Sequence, residues 1–127
     1  MYIAVYGSLR KGFHNHHWLG IDPKFIGTDA ILGQMYLCGA YPHFRPDPEG
    51  RSYKIEIYDI PEYVLDGIKR GEESCGYEQK EIQTRHGQAF AFFTRPDYDI
   101  TGLEPIQSYT IKLIRSKRPG YMRNTRR

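Results

Sequence analysis

Runs of β-branched and aromatic residues, separated by glycine and proline, set the outline of the chain. Residues 2–6 (YIAVY) form a short run of this kind closed by Gly7, which predicts a first strand ending in a tight turn. Residues 11–20 (KGFHNHHWLG) are polar with bulky aromatics and no period, so they predict a loop holding at most one helical turn. Residues 24–29 and 31–38 predict two strands. The stretch 39–50 (GAYPHFRPDPEG) carries three prolines and two glycines and predicts a loop. In residues 51–58 (RSYKIEIY), Tyr53, Ile55 and Ile57 alternate with Ser52, Lys54 and Glu56, the pattern of a strand with one buried and one wet face.

The period then changes. Pro61 and Glu62 open a helix, because proline in a first turn gives up no needed N–H and a carboxylate suits the positive end of the helix dipole. Val64, Leu65 and Ile68 mark its buried face, and the helix is expected to end near Gly71 with Lys69 and Arg70 at its negative end. Residues 77–84 and 88–94 predict two more strands, joined at Arg85-His86-Gly87 in a hairpin whose glycine takes a positive φ. About six strands and one main helix make this an α+β chain, with a sheet that curls or closes into a small barrel around an aromatic interior. After Arg95-Pro96 the pattern breaks up, and there is no internal repeat.

The length of 127 residues accommodates one ordinary domain. The formal charge of +3 is unevenly placed: all 15 acidic residues precede position 115, whereas from that position onward come Arg115, Lys117, Arg118, Arg123, Arg126 and Arg127. Without those six the body carries −3, so the basicity belongs to an appendage and not to a body built for nucleic acid. We accordingly divide the chain into a domain of residues 1–114 and a basic tail of residues 115–127. No stretch approaches the roughly 20 apolar residues of a membrane span, and the first residues do not have the pattern of a secretory signal. Two cysteines, Cys38 and Cys75, lie far apart without a paired motif, as expected in a reducing compartment. A soluble cytoplasmic protein is the expectation.

Chemistry is expected first at Tyr6, Gly7, Ser8 and Leu9. A strand end followed by glycine lets successive backbone N–H groups point together into solvent, a small donor set for a carboxylate or an oxyanion. His14, His16 and His17 are the only group resembling metal ligands, but no cysteine or carboxylate nearby completes a set, and no metal is expected. Trp18 is expected to pack over the barrel mouth, and Tyr36, Tyr41 and His43 are further candidates for its walls.

VYGSLRKG at positions 5–12, a later strand of the SYKIEIYDI type, a helix with Leu65-Asp66, Gly76-Tyr77 opening a strand and a last strand over residues 89–93 together resemble the gamma-glutamylcyclotransferase-like family. The resemblance covers residues 1–95. It implies a closed or nearly closed six-stranded mixed barrel with a cavity between the loop after the first strand and the end of the helix. It also implies an activity: the α-amine of a γ-glutamyl group attacks its own γ-carbonyl, giving 5-oxoproline and a free amine, with no metal or organic cofactor. Tyr6 to Leu9 would hold the substrate, and a glutamate near the helix end would act as general acid and base.

At that glutamate the chain departs from the family pattern. The family's Leu-Asp-x-x-Glu-Gly string reads here Leu65-Asp66-Gly67-Ile68-Lys69. Glu72 and Glu73 follow before Gly76, and Glu73 is preferred as the acid/base because it is nearer the next strand, with Glu72 kept beside it. The alternative is that both cap the helix in solvent and that the barrel binds a small carboxylate ligand without turnover. A third reading makes the basic tail a nucleic-acid contact.

Overall fold

The structure, a computed structural model, describes residues 1–117. The basic residues from Arg118 onward, on which part of the tail reading rests, lie outside them. The elements are β1 (Tyr2–Val5), β2 (Lys24–Cys38), β3 (Tyr41–Pro46), β4 (Arg51–Asp59), α1 (Glu62–Ser74), β5 (Tyr77–Thr84), β6 (Gly87–Thr94), β7 (Glu104–Ile106) and α2 (Ile111–Lys117). A single 3-10 turn, His16–Leu19, interrupts the loop after β1.

The strands form one mixed sheet in the order β3-β2-β4-β1-β6-β5, with β7 added to β2; β1 and β6 run parallel and the other pairs antiparallel. This is the α+β arrangement expected, a curled half-barrel with one main helix. Its curl brings β3 close to β6 without a strand ladder between them.

Two cores occupy the two faces of the sheet. Ala4, Tyr6, Tyr53, Ile55, Ile57, Ala91 and Phe93 fill the inside of the curl, while Ile3, Val5, Tyr58, Phe92, Leu65 and Ile68 pack between the sheet and α1. The central strand β1 is therefore buried on both faces, which is why residues 2–6 read as an unbroken apolar run. The alternation read in β4 is confirmed: Tyr53, Ile55 and Ile57 are all buried. The hairpin is confirmed as well, with Gly87 at φ 112°.

Three expectations need correction, and the fold continues past the point where the sequence pattern breaks up. The two strands expected over residues 24–38 are one strand of 15 residues; its register shifts between Phe25 and Gly27 against β4, and its far half passes to β3 and β7. A bulge lets one strand bend and serve several partners where a straight one would diverge.

Residues 41–46, expected in a loop, form the edge strand β3 despite two prolines. Pro42 and Pro46 stand four apart, so both nitrogens lie on the same edge as that of Phe44. The Phe44 N–H points away from β2 and donates to Thr94 Oγ1 of β6 at 3.0 Å. The prolines thus remove donors only from the edge that has no strand ladder to lose.

The helix α1 does not stop at Gly71. It runs on to Ser74 and ends against Gly76, whose φ of 97° turns the chain out of the helix, so Lys69 and Arg70 are not in its last turn.

The chain beyond residue 95 is part of the fold. β7 pairs with β2, the Tyr53 hydroxyl donates to the Ile106 carbonyl at 2.6 Å, and Ile106, Tyr109 and Ile114 join the core inside the curl.

Candidate active site

The loop after β1 owes its course to packing at Gly7. A Cβ built there would lie 2.4 Å from Cγ of Pro42, so only glycine lets the loop lie against β3. The loop's carbonyls are then turned inward. Gly7 O accepts from the N–H and Nε of Arg10 (3.0 and 3.2 Å), Ser8 O from the N–H of Asn15 (3.1 Å), and Leu9 O lies 2.8 Å from Nδ1 of His16. Among the described residues, the N–H groups of Gly7, Ser8 and Leu9 find no protein acceptor. Successive unspent N–H groups beside a cavity form an anion-binding concavity. Arg10 secures the arrangement: its guanidinium also donates to the Tyr109 carbonyl and lies 4.4 Å over the ring of Phe13.

This loop and the last two turns of α1 enclose a cavity of about 500 Å³. Tyr6, Gly7, Ser8 and Leu9 all line it, and so does Glu72; Glu73 does not and is exposed. Of the two glutamates, the fold brings Glu72 to the loop. Because α1 extends through Ser74, helical spacing decides the matter: Leu65, Ile68 and Glu72 follow at i, i+3 and i+7 and share a face, whereas Glu73 is turned about 100° further round. Leu65 and Ile68 are pinned to the sheet at 3% and 6% exposure, and they carry Glu72 inward with them.

Burial alone pushes the Glu72 carboxyl up to about 7. Glu72 in turn adds to the burial that raises the hydroxyls of Tyr77 and Tyr6. Both hydroxyls serve structure. Tyr6 donates to the Phe92 carbonyl and Tyr77 to the Pro42 carbonyl, each at 2.6 Å, so Tyr6 contributes to the cavity while its ring belongs to the core with Phe44 and Phe93.

The rest of the wall comes from residues that the linear pattern did not unite. Asn15 supports Ser8, its Nδ2 donating to Oγ at 3.1 Å. Trp18, in the 3-10 turn, and Tyr41, at the start of β3, also line the cavity, and both are exposed. His43 is not in the wall. It is buried, stacked between Tyr77 (4.8 Å) and Tyr98 (4.4 Å), with Nδ1 2.9 Å from Thr94 Oγ1; burial and Arg45 hold its pKa down. Tyr36 also lies outside the cavity lining. The three imidazoles of the loop after β1 lie against different rings, His14 against Tyr41, His16 against Tyr58 and His17 against Trp18.

A curled mixed sheet whose first loop and single long helix enclose one carboxyl and a set of free amides is the framework of a small-molecule site. Residues 3–110 match the profile of the family described as gamma-glutamyl cyclotransferase, AIG2-like, and the chain belongs to that family. The match continues past residue 95, where the resemblance in the sequence ended, in agreement with the burial of Ile106 and Tyr109.

The chain is similar to the gamma-glutamylcyclotransferase family protein YtfP of Escherichia coli, with 35% identity over 114 residues covering 85% of this chain and 93% of that one. It is 37% identical over 89 residues to PH0828 of Pyrococcus horikoshii, covering 69% of this chain and 73% of that one. The crystal structure of PH0828 superposes with a TM-score of 0.69 over 91% of this chain and 93% of that one. For the solution structure of YtfP the TM-score is 0.68, over 85% and 93%. No helix among the described residues is long and apolar enough to cross a membrane.

Proposed function

We propose that the protein cyclises γ-glutamyl amides to 5-oxoproline with release of the amine, Glu72 acting as both base and acid. The observation that carries this reading is that Glu72, with its carboxyl raised to about 7, lines the same cavity as the unspent N–H groups of Gly7, Ser8 and Leu9. A carboxyl poised near neutrality can both take and return a proton at ordinary pH.

The α-ammonium of the substrate gives one proton to Glu72. Its lone pair then forms the C–N bond to the γ-carbonyl carbon, and the carbonyl π pair moves to oxygen, where the loop N–H groups stabilise it. The oxygen pair returns as the bond to the leaving nitrogen breaks. Glu72 gives its proton to that nitrogen and the second proton of the α-nitrogen passes to solvent, so 5-oxoproline and the free amine depart. Ring closure is intramolecular, and the cavity's main task is to hold the chain folded. The half-exposed Cys38 and exposed Cys75 are free thiols, which supports a cytoplasmic setting.

The test is 5-oxoproline release from a panel of γ-glutamyl amides by the wild type, Glu72→Gln and Glu73→Gln. Loss in the first variant and retention in the second is expected. Thermal protection by γ-glutamyl amides with no 5-oxoproline from any of them would leave a binding protein instead. That second reading draws on one observation, the lysine at position 69 where the family pattern has glutamate.

A further inference from the structure

Resting on the cyclisation reading, we propose that the cavity selects γ-glutamyl amides whose amine portion is an apolar, ring-bearing group without a carboxylate, and that Trp18 and Tyr41 form the subsite for that group. Three observations converge on it.

The first is charge. Glu72 is the one carboxylate lining the cavity, and among the described residues no lysine, arginine or histidine lines it. The γ-glutamyl head already brings an ammonium, suited to Glu72, and an α-carboxylate and a developing oxyanion, suited to the amides of Gly7 to Leu9. A γ-glutamyl amino acid would add a second carboxylate. With the amides occupied, the lining offers that charge no cation to pair with, whereas an apolar group gains by covering the exposed rings.

The second is the state of the aromatic rings. Tyr6 and Tyr77 are packed away at 8% and 7% exposure, whereas Trp18 and Tyr41 are 59% and 53% exposed although both line the cavity. Each has an imidazole against it, His17 at 5.4 Å from Trp18 and His14 at 5.8 Å from Tyr41, and neither imidazole lines the cavity. Two supported rings at a mouth suit a flat apolar group.

The third is space. On the cavity side of α1, Gly67 and Gly71 carry no side chain, and a Cβ at Gly71 would meet nothing within 4 Å. Glycine inside a helix is unfavourable by about 1 kcal/mol against alanine, and here it leaves the wall open beside Ile68.

Trp18 is the only tryptophan of the chain, so its fluorescence reports occupancy of the subsite whether or not turnover occurs. The probes are L-γ-glutamylbenzylamide, L-γ-glutamylethylamide and L-γ-glutamylglycine, each followed by Trp18 fluorescence and by 5-oxoproline release. The benzylamide should bind and react with at least about tenfold advantage over γ-glutamylglycine. Trp18→Ala, with Tyr41→Ala as a second variant, should raise KM for the benzylamide by about tenfold and alter KM for the ethylamide by less than about threefold. Equal use of γ-glutamylglycine, no binding of the benzylamide, or equal weakening of all three amides in both variants would overturn the subsite. Selective binding of the benzylamide with no 5-oxoproline from any probe would instead remove the cyclisation reading and leave the subsite standing.

Discussion

Gly7 lies so close to Pro42 that a Cβ on the glycine would fall 2.4 Å from the proline Cγ. The contact joins the loop that offers the amide donors to a strand 35 residues later, and the shape of the cavity depends on it. Gly7→Ala should push the loop off β3 and displace the N–H groups of Ser8 and Leu9. We expect a loss of about 1–3 kcal/mol in stability, as for overpacking elsewhere, and a fall in kcat/KM of at least about tenfold. Denaturant melts and 5-oxoproline assays of the variant measure both.

On the cyclisation reading, Glu72 ties activity to pH. The carboxylate is the form that accepts the proton, so kcat/KM should rise with pH through an inflection near 7. A pH–rate profile on an amide substrate checks this, and an acid limb near the ordinary glutamate value of 4.5 would contradict the assignment.

The same group makes stability depend on pH. Its pKa is raised on folding from 4.5 to about 7, so the folded state holds the proton more tightly than the unfolded chain. Stability is therefore lost as pH rises from 4.5 through 7. Glu72→Gln should be inactive yet more stable than the wild type at pH 8, by at most about 3 kcal/mol, with the difference vanishing near pH 4. Melting temperatures at the two pH values provide the comparison.

Gly71 separates folding from binding. Gly71→Ala meets no atom within 4 Å and replaces a poor helix former, so α1 should gain about 1 kcal/mol. Gly71 lines the cavity, so the added methyl should raise KM severalfold for amides with bulky amines. A rise in melting temperature with unchanged KM would mean that this wall does not touch the substrate.

Thr94 closes the curl. Its hydroxyl oxygen accepts from the Phe44 N–H at 3.0 Å and lies 2.9 Å from His43 Nδ1, joining β6 to β3 without a strand ladder. Thr94→Val leaves a buried N–H unpaired and should cost about 1–3 kcal/mol, whereas Thr94→Ser should keep most of the stability. Denaturation midpoints of the two variants are the measure.

The elements whose burial follows their own period were legible in the chain. The alternation of Tyr53, Ile55 and Ile57 defined β4, the spacing of Leu65 and Ile68 defined the face of α1, and a glycine in the turn defined the β5–β6 hairpin. The donor loop at Tyr6 to Leu9 was legible too, because a strand end followed by glycine is a local signal and VYGSL resembles a family pattern. Glu72 was within reach: it continues the spacing of Leu65 and Ile68, provided the helix is carried past Gly71.

What the linear pattern could not contain was decided by partners distant in sequence. β3 exists because β2 offers its edge and Thr94 takes the Phe44 N–H, the one donor between two prolines that points away from β2, and β7 exists because the far half of β2 was left unpaired by β4. Local propensity registers neither. The meeting of Trp18, Tyr41 and Glu72 at one cavity is likewise a product of the curl of the sheet, since no spacing along the chain relates the three. Periodicity reports which face of an element is buried; only the packed structure determines what that face is buried against, and where the packing leaves room for a substrate.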